Sequence, residues 1–328
     1  MRRFLSLALL LVFCAGVGCG GRTSRPFTVG FMPKLVGIPY FNACKRGAEE
    51  AATELTIKLV YNGPRAADSN EQTNLLDQWV ASGSYDCLCV ACNDPDLVAN
   101  SLRNARKNGL LVVTFDADSQ PNARHFFVNM ATYDAVAEAM VDAMAEELGP
   151  EPKGKVGILT SSIQAPNQSQ WVKRMRPYAK AKYPDLELLD EEQHGEDRDE
   201  GISKAKAMIR ANPDLKGIIG LTSVAVPAAA EAVRQEKKKG EIKVTGVSTP
   251  KDMKDYVHDG TVNIVILWNP VDLGYLTVYV ADLLHKDKMP DNGTIEAGRL
   301  GKIQVKDREV LLGKPIRFTR DNIDNFDF

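Results

Sequence analysis

Residues 110–118 read Leu-Leu-Val-Val-Thr-Phe-Asp-Ala-Asp, an apolar and β-branched run followed by two carboxylates. A short run of this kind predicts a strand buried on both faces, as in a parallel sheet that is covered by helices. Ligands of open parallel sheets bind beyond the carboxyl ends of the strands. The stretch therefore predicts a fold class and a site together, and Asp116 is the first candidate ligand-binding residue.

Runs of the same kind recur along the chain, and amphipathic stretches with helical periodicity separate them. One such stretch has an apolar face at 75–80 behind a capping-box-like start at Asp68 and Glu71. This alternation predicts an α/β fold with two doubly wound parallel-sheet lobes, and the chain passes from one to the other near 126–133. The strand-like runs begin near Thr28, Ile57, Cys87 and Leu110, then near Lys155, Leu186, Gly217 and Lys243, and last near Val262.

Two lobes of this kind leave a cleft between them, and the loops that follow the strands should line it. These loops carry amides, carboxylates and flat aromatic rings. Carboxylates and amides can satisfy sugar hydroxyls, which both donate and accept hydrogen bonds, while the apolar face of a sugar stacks on rings. The candidate side chains are Lys34, Tyr40, Phe41, Asn93, Asp116, Asn167, Gln168, Trp268, Asn269 and Asp272.

The composition excludes several other classes of protein. The 328 residues have a net charge of −2, whereas a protein that binds nucleic acid electrostatically carries a basic excess. The four histidines lie in no recognisable catalytic signature, so neither an enzyme nor a cofactor is expected. Cys87, Cys89 and Cys92 have the spacing of a metal cluster, but no histidine lies nearby and their segment reads as a buried strand. We interpret them as buried thiols and expect no metal.

The first 25 residues have the pattern of a secretion signal. Two arginines precede an uncharged stretch over 4–21, which predicts a signal peptide at 1–18. The small residues before Cys19 resemble the lipobox of bacterial lipoproteins, although Gly16 stands where leucine is usual. Cys19 is then the lipidated first residue of the mature chain, and 19–25 form a tether. A simple signal peptide or an uncleaved anchor are the alternatives.

Beyond this segment, residues 26–328 resemble the periplasmic sugar-binding proteins of ABC transporters, in the branch that contains rhamnose-binding and autoinducer-2-binding proteins. Each matching motif is weak alone, and their order and spacing carry the resemblance. The motifs are FMPKLVG at 31–37, NDPD at 93–96, TFDAD at 114–118, NQSQW at 167–171, PAAA at 227–230, LWNP at 267–270, AGRLG at 297–301 and DNIDNF at 321–326.

The resemblance implies a type I fold, with two lobes joined by three crossings. It places the N-terminal lobe at 26–128 and 269–300, and the C-terminal lobe at 129–268 and 301–328. By similarity, the positions that match autoinducer-2 contacts are Lys34, Asp116, Gln168, Pro227 and Ala229. Asn167 departs from the aspartate of autoinducer-2 binders and is closer to rhamnose-type members. Tyr40, Phe41 and Trp268 fall where related proteins hold sugar-contacting side chains.

The expected function is that of a substrate-binding lipoprotein that closes on a small neutral sugar, a rhamnose-like deoxyhexose or a pentose, and delivers it to an ABC permease. Closure is favoured because the ligand contacts both lobes. Binding of autoinducer-2 and presentation of a sugar to a chemoreceptor or kinase remain open alternatives. The expected protein is a monomer in the periplasm or cell envelope, held to the membrane only by its lipid and without a nucleic-acid partner.

Overall fold

A computed structural model describes residues 25–328 of the protein. The predicted signal peptide, Cys19 and the tether up to 24 lie outside the described residues. Over 25–328, strands and helices alternate in the order that the apolar runs predict, and they form two lobes with parallel sheets. The predicted α/β fold class is therefore confirmed.

The N-terminal lobe is built on an eight-stranded sheet. Its first five strands are parallel to one another, and β1 and β3 are completely buried because helices cover both faces of the sheet. The elements are β1 (Thr28–Met32), α1 (Pro39–Leu55), β2 (Lys58–Tyr61), α2 (Ser69–Ser82), β3 (Cys87–Val90), α3 (Leu97–Lys107), β4 (Leu111–Phe115) and β5 (Phe126–Asn129). Asp68 caps α2 by accepting from the N–H groups of Asn70 and Glu71, as the capping-box pattern predicts.

The C-terminal lobe has a four-stranded parallel sheet in the order β7-β6-β8-β9. A short strand, β10, joins its edge through a bridge between Val247 and Ile266. The elements are α4 (Tyr133–Leu148), β6 (Gly154–Thr160), α5 (Pro166–Lys182), β7 (Leu186–Gln193), α6 (Arg198–Ala211), β8 (Leu215–Gly220), α7 (Ala225–Gln235), β9 (Lys243–Gly246), α8 (Pro250–His258) and β10 (Val265–Leu267).

The last part of the chain re-enters both lobes. Helix α9 packs on α1 and β4, and three further strands extend the first sheet before the final strand pairs with β10. These elements are α9 (Pro270–His285), β11 (Gly293–Glu296), β12 (Lys302–Lys306), β13 (Glu309–Leu311) and β14 (Ile316–Phe318). Three crossings therefore join the lobes, after β5, after β10 and after β13.

The third crossing lies later than the boundary predicted at 300/301. Strand β12 is antiparallel to β11, and β13 is parallel to β5, with Val310 opposite Val128. The chain therefore cannot leave the first sheet before Leu311, and residues 301–311 belong to the N-terminal lobe. The correction has a simple cause, because a strand belongs to the lobe whose backbone satisfies its hydrogen bonds.

The described residues contain buried cysteines and no membrane-spanning helix. The thiols of Cys44, Cys87, Cys89 and Cys92 are buried and free in the described structure. Over 25–328, none of the helices combines the length and apolar character needed to span a membrane.

Helices α1 and α9 approach until their backbones touch, and two glycines make this possible. A Cβ placed on Gly274 would lie 1.9 Å from the carbonyl oxygen of Cys44, and one on Gly47 would lie 1.8 Å from that of Val271. Backbone atoms cannot rotate away as a flexible side chain can. The contact thus holds the first helix after the second crossing against the N-terminal lobe.

We expect Gly274→Ala to lower the free energy of unfolding by about 1–3 kcal/mol, because the added methyl group forces the two helices apart. Denaturant unfolding of the purified protein measures this change. Gly313→Ala is the matched control, since no atom of the described residues lies within 4 Å of a Cβ at that position. Equal unfolding midpoints for the two variants would contradict the close packing of α1 on α9.

Candidate ligand-binding site

A narrow cavity of about 30 Å³ lies between the lobes, at the carboxyl ends of the parallel strands. Loops and first helical turns after β1, β4, β6, β7, β8, β9 and β10 all reach it, as expected for open α/β sheets. Its lining consists of Lys34, Ile38, Tyr40, Phe41, Asp116, Asn167, Gln168, Trp171, Glu196, Leu221, Thr222, Ser223, Val247 and Trp268.

A buried polar network crosses this cavity from lobe to lobe. Asp116 lies 3.6 Å from the ammonium nitrogen of Lys34 and accepts a hydrogen bond of 2.7 Å from the hydroxyl of Tyr40. Lys34 also donates to Oδ1 of Asn167 in the other lobe, at 2.8 Å. The indole N–H of Trp268 donates to the Tyr40 hydroxyl at 2.9 Å. The network therefore joins both lobes and the second crossing.

Burial and charge act against each other at Asp116, which is only 3% exposed. Removal from water raises the pKa of the Asp116 carboxyl, whereas the Lys34 ammonium and the Tyr40 hydroxyl lower it. Burial and the neighbouring Asp116 carboxylate raise the pKa of Tyr40, so Tyr40 keeps its proton and remains a donor. An ion pair in this setting needs both partners, since either charge alone would be costly when buried.

The backbone turns sharply at Asp116 to present this carboxylate. Its φ is +61°, a left-handed conformation that non-glycine residues rarely adopt and that Asp tolerates better than most. The N–H of Ala117 donates to the carbonyl of Phe115 at 2.6 Å, which closes a tight turn around Asp116. Local strain of this kind concentrates where a protein positions a functional group.

Helix α5 supplies the amides of the C-terminal lobe. Asn167 accepts from Lys34 and lies 3.5 Å from Asp116 through its Nδ2. The amide oxygen of Gln168 accepts from the Thr160 hydroxyl and from the N–H of Ser161, at 2.5 and 2.9 Å. Gln168 thus lines the cavity while its amide ties the start of α5 to the end of β6.

Seven of the candidate residues lie together in the lining: Lys34, Tyr40, Phe41, Asp116, Asn167, Gln168 and Trp268. The other five lie outside it. The amide of Asn93 donates to the Lys34 carbonyl at 2.7 Å and so supports that loop from behind. Pro227 and Ala229 are buried within α7, where Pro227 is the third residue.

The two remaining candidates belong to the start of α9. Asn269 caps this helix, and its side chain accepts from the N–H groups of Val271 and Asp272. Asp272 forms an ion pair with Arg299 at 2.5 Å. Both side chains stabilise the segment that follows the second crossing.

The structure adds lining residues that the sequence analysis did not single out: Ile38, Trp171, Glu196, Leu221, Thr222, Ser223 and Val247. Most of them follow β7, β8 or β9. Their position directly after a predicted parallel strand is the sequence signal that could have identified them. Within 25–328, no group of His, Cys, Asp and Glu side chains is placed to hold a metal ion.

Comparison with known proteins agrees with this architecture. A family model described as "Periplasmic binding protein domain" matches residues 29–288. A sugar ABC transporter structure from Actinomyces odontolyticus is 32% identical, with 92% of this chain and 98% of that chain covered and a TM-score of 0.73.

Two further solved structures each have 26% identity and a TM-score of 0.87. One is LsrB from Clostridium saccharobutylicum in complex with AI-2, covering 92% of this chain and 100% of that chain. The other is an ABC transporter solute-binding protein from Clostridium phytofermentas with bound L-rhamnose, covering 92% and 98%. Taken with the two lobes and the cleft between them, these matches show that the chain belongs to the type I family of periplasmic sugar-binding proteins.

Proposed function

We propose that this protein is the substrate-binding lipoprotein of a carbohydrate ABC importer and that it binds a small neutral sugar in the interlobe cavity. The observation that carries the proposal is the buried network of Lys34, Asp116 and Asn167, which crosses the cleft where a ligand would contact both lobes. A ligand held by both lobes favours the closed form, and the closed form is what a permease can distinguish from the open one.

The chemistry of the lining favours a neutral polyol of small size. Asp116 can accept two hydrogen bonds from adjacent hydroxyls, and such charge-assisted bonds are the stronger kind. Tyr40, Phe41 and Trp268 offer rings to the apolar face of a sugar. The cavity between the lobes is narrow, about 30 Å³, which favours a small ligand. A pentose or deoxyhexose suits this combination.

Autoinducer-2 is the second candidate ligand. Three of the positions that match autoinducer-2 contacts, Lys34, Asp116 and Gln168, line the cavity. Pro227 and Ala229 lie outside the lining, and Asn167 replaces the aspartate of that group. These three differences favour a sugar.

A thermal-shift screen followed by calorimetric titration tests the proposal, with L-rhamnose, D-arabinose, D-ribose and autoinducer-2 as probes. A ligand at 100 times its dissociation constant adds about 2.7 kcal/mol to the stability of the protein. The bound sugar should be recovered chemically unchanged, because the proposed function has no catalytic step. Binding of autoinducer-2 alone would replace the sugar proposal with the second candidate.

Deleting the gene distinguishes transport from sensing. If the protein serves an importer, deletion should abolish high-affinity uptake of the identified sugar. Loss of sugar-induced transcription with normal uptake would instead identify a protein that presents its ligand to a chemoreceptor or kinase.

We further propose that Cys19 carries the lipid anchor, and this predicts that Cys19→Ala releases the protein from the membrane fraction. The small residues before Cys19 and the polar stretch after it motivate the expectation. Cell fractionation and immunoblotting measure the change. Cys44→Ala is the control, since that thiol is buried in the N-terminal lobe and should not affect fractionation. A Cys19→Ala protein that remains uncleaved and membrane-bound would show that 4–21 is an anchor.

A further inference from the structure

Of the buried polar atoms that have no hydrogen-bond partner within the described part of the chain, two belong to C-terminal-lobe side chains that line the cavity. They are the indole nitrogen Nε1 of Trp171 and the carboxylate oxygen Oε2 of Glu196. One is a donor and the other is an acceptor. Buried polar atoms are almost always paired, so two exceptions in one cavity point to a ligand.

Glu196 is placed in the cavity by an unusual backbone. It follows β7, and its φ of +60° makes it, like Asp116, a carboxylate presented from a left-handed position. The residue is partly exposed, but its Oε2 is fully buried. Burial raises the pKa of the Glu196 carboxyl, and the Lys34 ammonium across the cleft and the nearby hydroxyls of Thr222 and Ser161 partly offset this effect.

Trp171 lies on α5, one helical turn after Asn167, and is 1% exposed. Its ring packs against Trp268, with ring centroids 6.0 Å apart. An indole in an apolar core would be expected to find a partner for its N–H, and Trp268 does so through Tyr40. The unpaired N–H of Trp171 is therefore a donor available to a molecule in the cavity.

We propose that Trp171 and Glu196 form further ligand-binding contacts of the C-terminal lobe, in which the indole N–H donates to a sugar hydroxyl and the carboxylate accepts from one. This inference rests on the proposed function. The sugar then lies between two carboxylates, Asp116 of one lobe and Glu196 of the other. Among residues 25–328, Lys34 is the single cation of the lining, so the site selects neutral hydroxylated ligands over sugar acids and sugar phosphates.

Calorimetric titration with L-rhamnose, D-arabinose and D-ribose tests the two residues through conservative variants. Trp171→Phe keeps an aromatic ring and removes the donor, and Glu196→Gln keeps the shape and removes the charge. Each should weaken binding of the sugar that the wild-type protein recognises by roughly tenfold, the usual size for one hydrogen bond. Because the two atoms are unpaired without ligand, neither change should lower the thermal midpoint of the unliganded protein.

The matched controls are Trp79→Phe and Glu192→Gln. Trp79 packs on Tyr85 in the N-terminal lobe away from the cavity, and Glu192 is an exposed residue of β7. Both controls should bind sugar as the wild-type protein does. Wild-type affinity in Trp171→Phe or in Glu196→Gln would overturn the assignment of that residue. A lower unliganded midpoint with unchanged affinity would show a purely structural role.

The same experiment distinguishes failure of this inference from failure of the proposed function. If the wild-type protein binds one of the sugars and neither variant weakens it, only the inference is wrong. If the wild-type protein binds none of the three sugars, the neutral-sugar function is wrong and the inference with it.

Discussion

Replacing Asp116 by alanine is expected to weaken sugar binding about 30- to 150-fold, a loss of about 2–3 kcal/mol. The change leaves ligand hydroxyls without an acceptor in the closed cleft, and it leaves the Lys34 ammonium and the Tyr40 hydroxyl without their shared partner. Asp116→Asn keeps the shape and one acceptor oxygen, so its loss should be smaller. Calorimetric titration of both variants with the sugar identified in the screen measures the two losses.

Alanine at 116 also has to adopt a φ of +61°, which carries a cost unrelated to ligand binding. Asp287→Ala is the matched control, because Asp287 is an exposed residue with a φ of +53°. This control should show a similar small change in stability and no change in affinity. If Asp116→Ala binds the sugar as well as Asp287→Ala does, the carboxylate is only part of a turn, and the proposed site is wrong at its centre.

Replacing Lys34 by methionine should weaken binding at neutral pH by at least about 150-fold, or about 3 kcal/mol. Methionine preserves the length and the apolar stem but removes the cation that faces Asp116. The carboxylate would then enter the closed cleft as an unpaired charge, which is the most costly way to break a buried ion pair. The link from Lys34 to Asn167 across the lobes is lost as well.

The Lys34→Met variant should also acquire a pH dependence that the wild-type protein has only weakly. Without the ammonium, burial raises the pKa of Asp116 further, so the closed form binds more protons than the open form. The affinity of the variant should therefore fall as pH rises from the pKa of Asp116 in the open form to its pKa in the closed form. It should partly recover as pH is lowered from 8 to 5. Glu196 faces the same cavity in both proteins, so the difference between variant and wild type isolates the Asp116 effect.

Calorimetric titrations at three pH values between 5 and 8 test the loss of affinity and its pH dependence. Lys45→Met is the control. Lys45 lies on α1 and forms a surface pair with Glu49 at 3.5 Å, so its loss should change affinity little. A Lys34→Met protein with wild-type affinity would mean that Asp116 is compensated by something other than Lys34. A loss that does not depend on pH would mean that Lys34 contacts the ligand directly and does not act through the carboxylate.

The fold followed from the sequence because its determinants are local. Each apolar run reports burial of one strand, and the capping pattern at Asp68 marks the start of α2 in both sequence and structure. The boundary predicted at 300/301 was wrong for the opposite reason. Strands β12 and β13 join whichever sheet has an edge strand with unpaired backbone groups. Here that edge strand is β5, which pairs with β13 and lies about 180 residues earlier in the chain.

The candidate site was likewise predictable where it depends on local sequence, and not where it depends on contacts between distant segments. A side chain directly after a buried strand, such as Asp116 after β4, can be placed at the cleft from position alone. Asn93 also follows a buried strand, yet its amide turns back to the Lys34 carbonyl and supports the loop. The direction of a side chain depends on the hydrogen bonds that neighbouring loops offer, and a single stretch of sequence does not contain them.

The sequence by itself therefore determined the fold class, the two lobes and the edge of each sheet where the candidate site lies, because period and burial are properties of contiguous residues. Only the tertiary structure decided the third crossing, the network that joins Lys34 and Asp116 to Asn167, and the unpaired atoms of Trp171 and Glu196. Those features are set where segments far apart in the chain meet. There, each polar atom keeps or loses its partner according to the packing of both lobes.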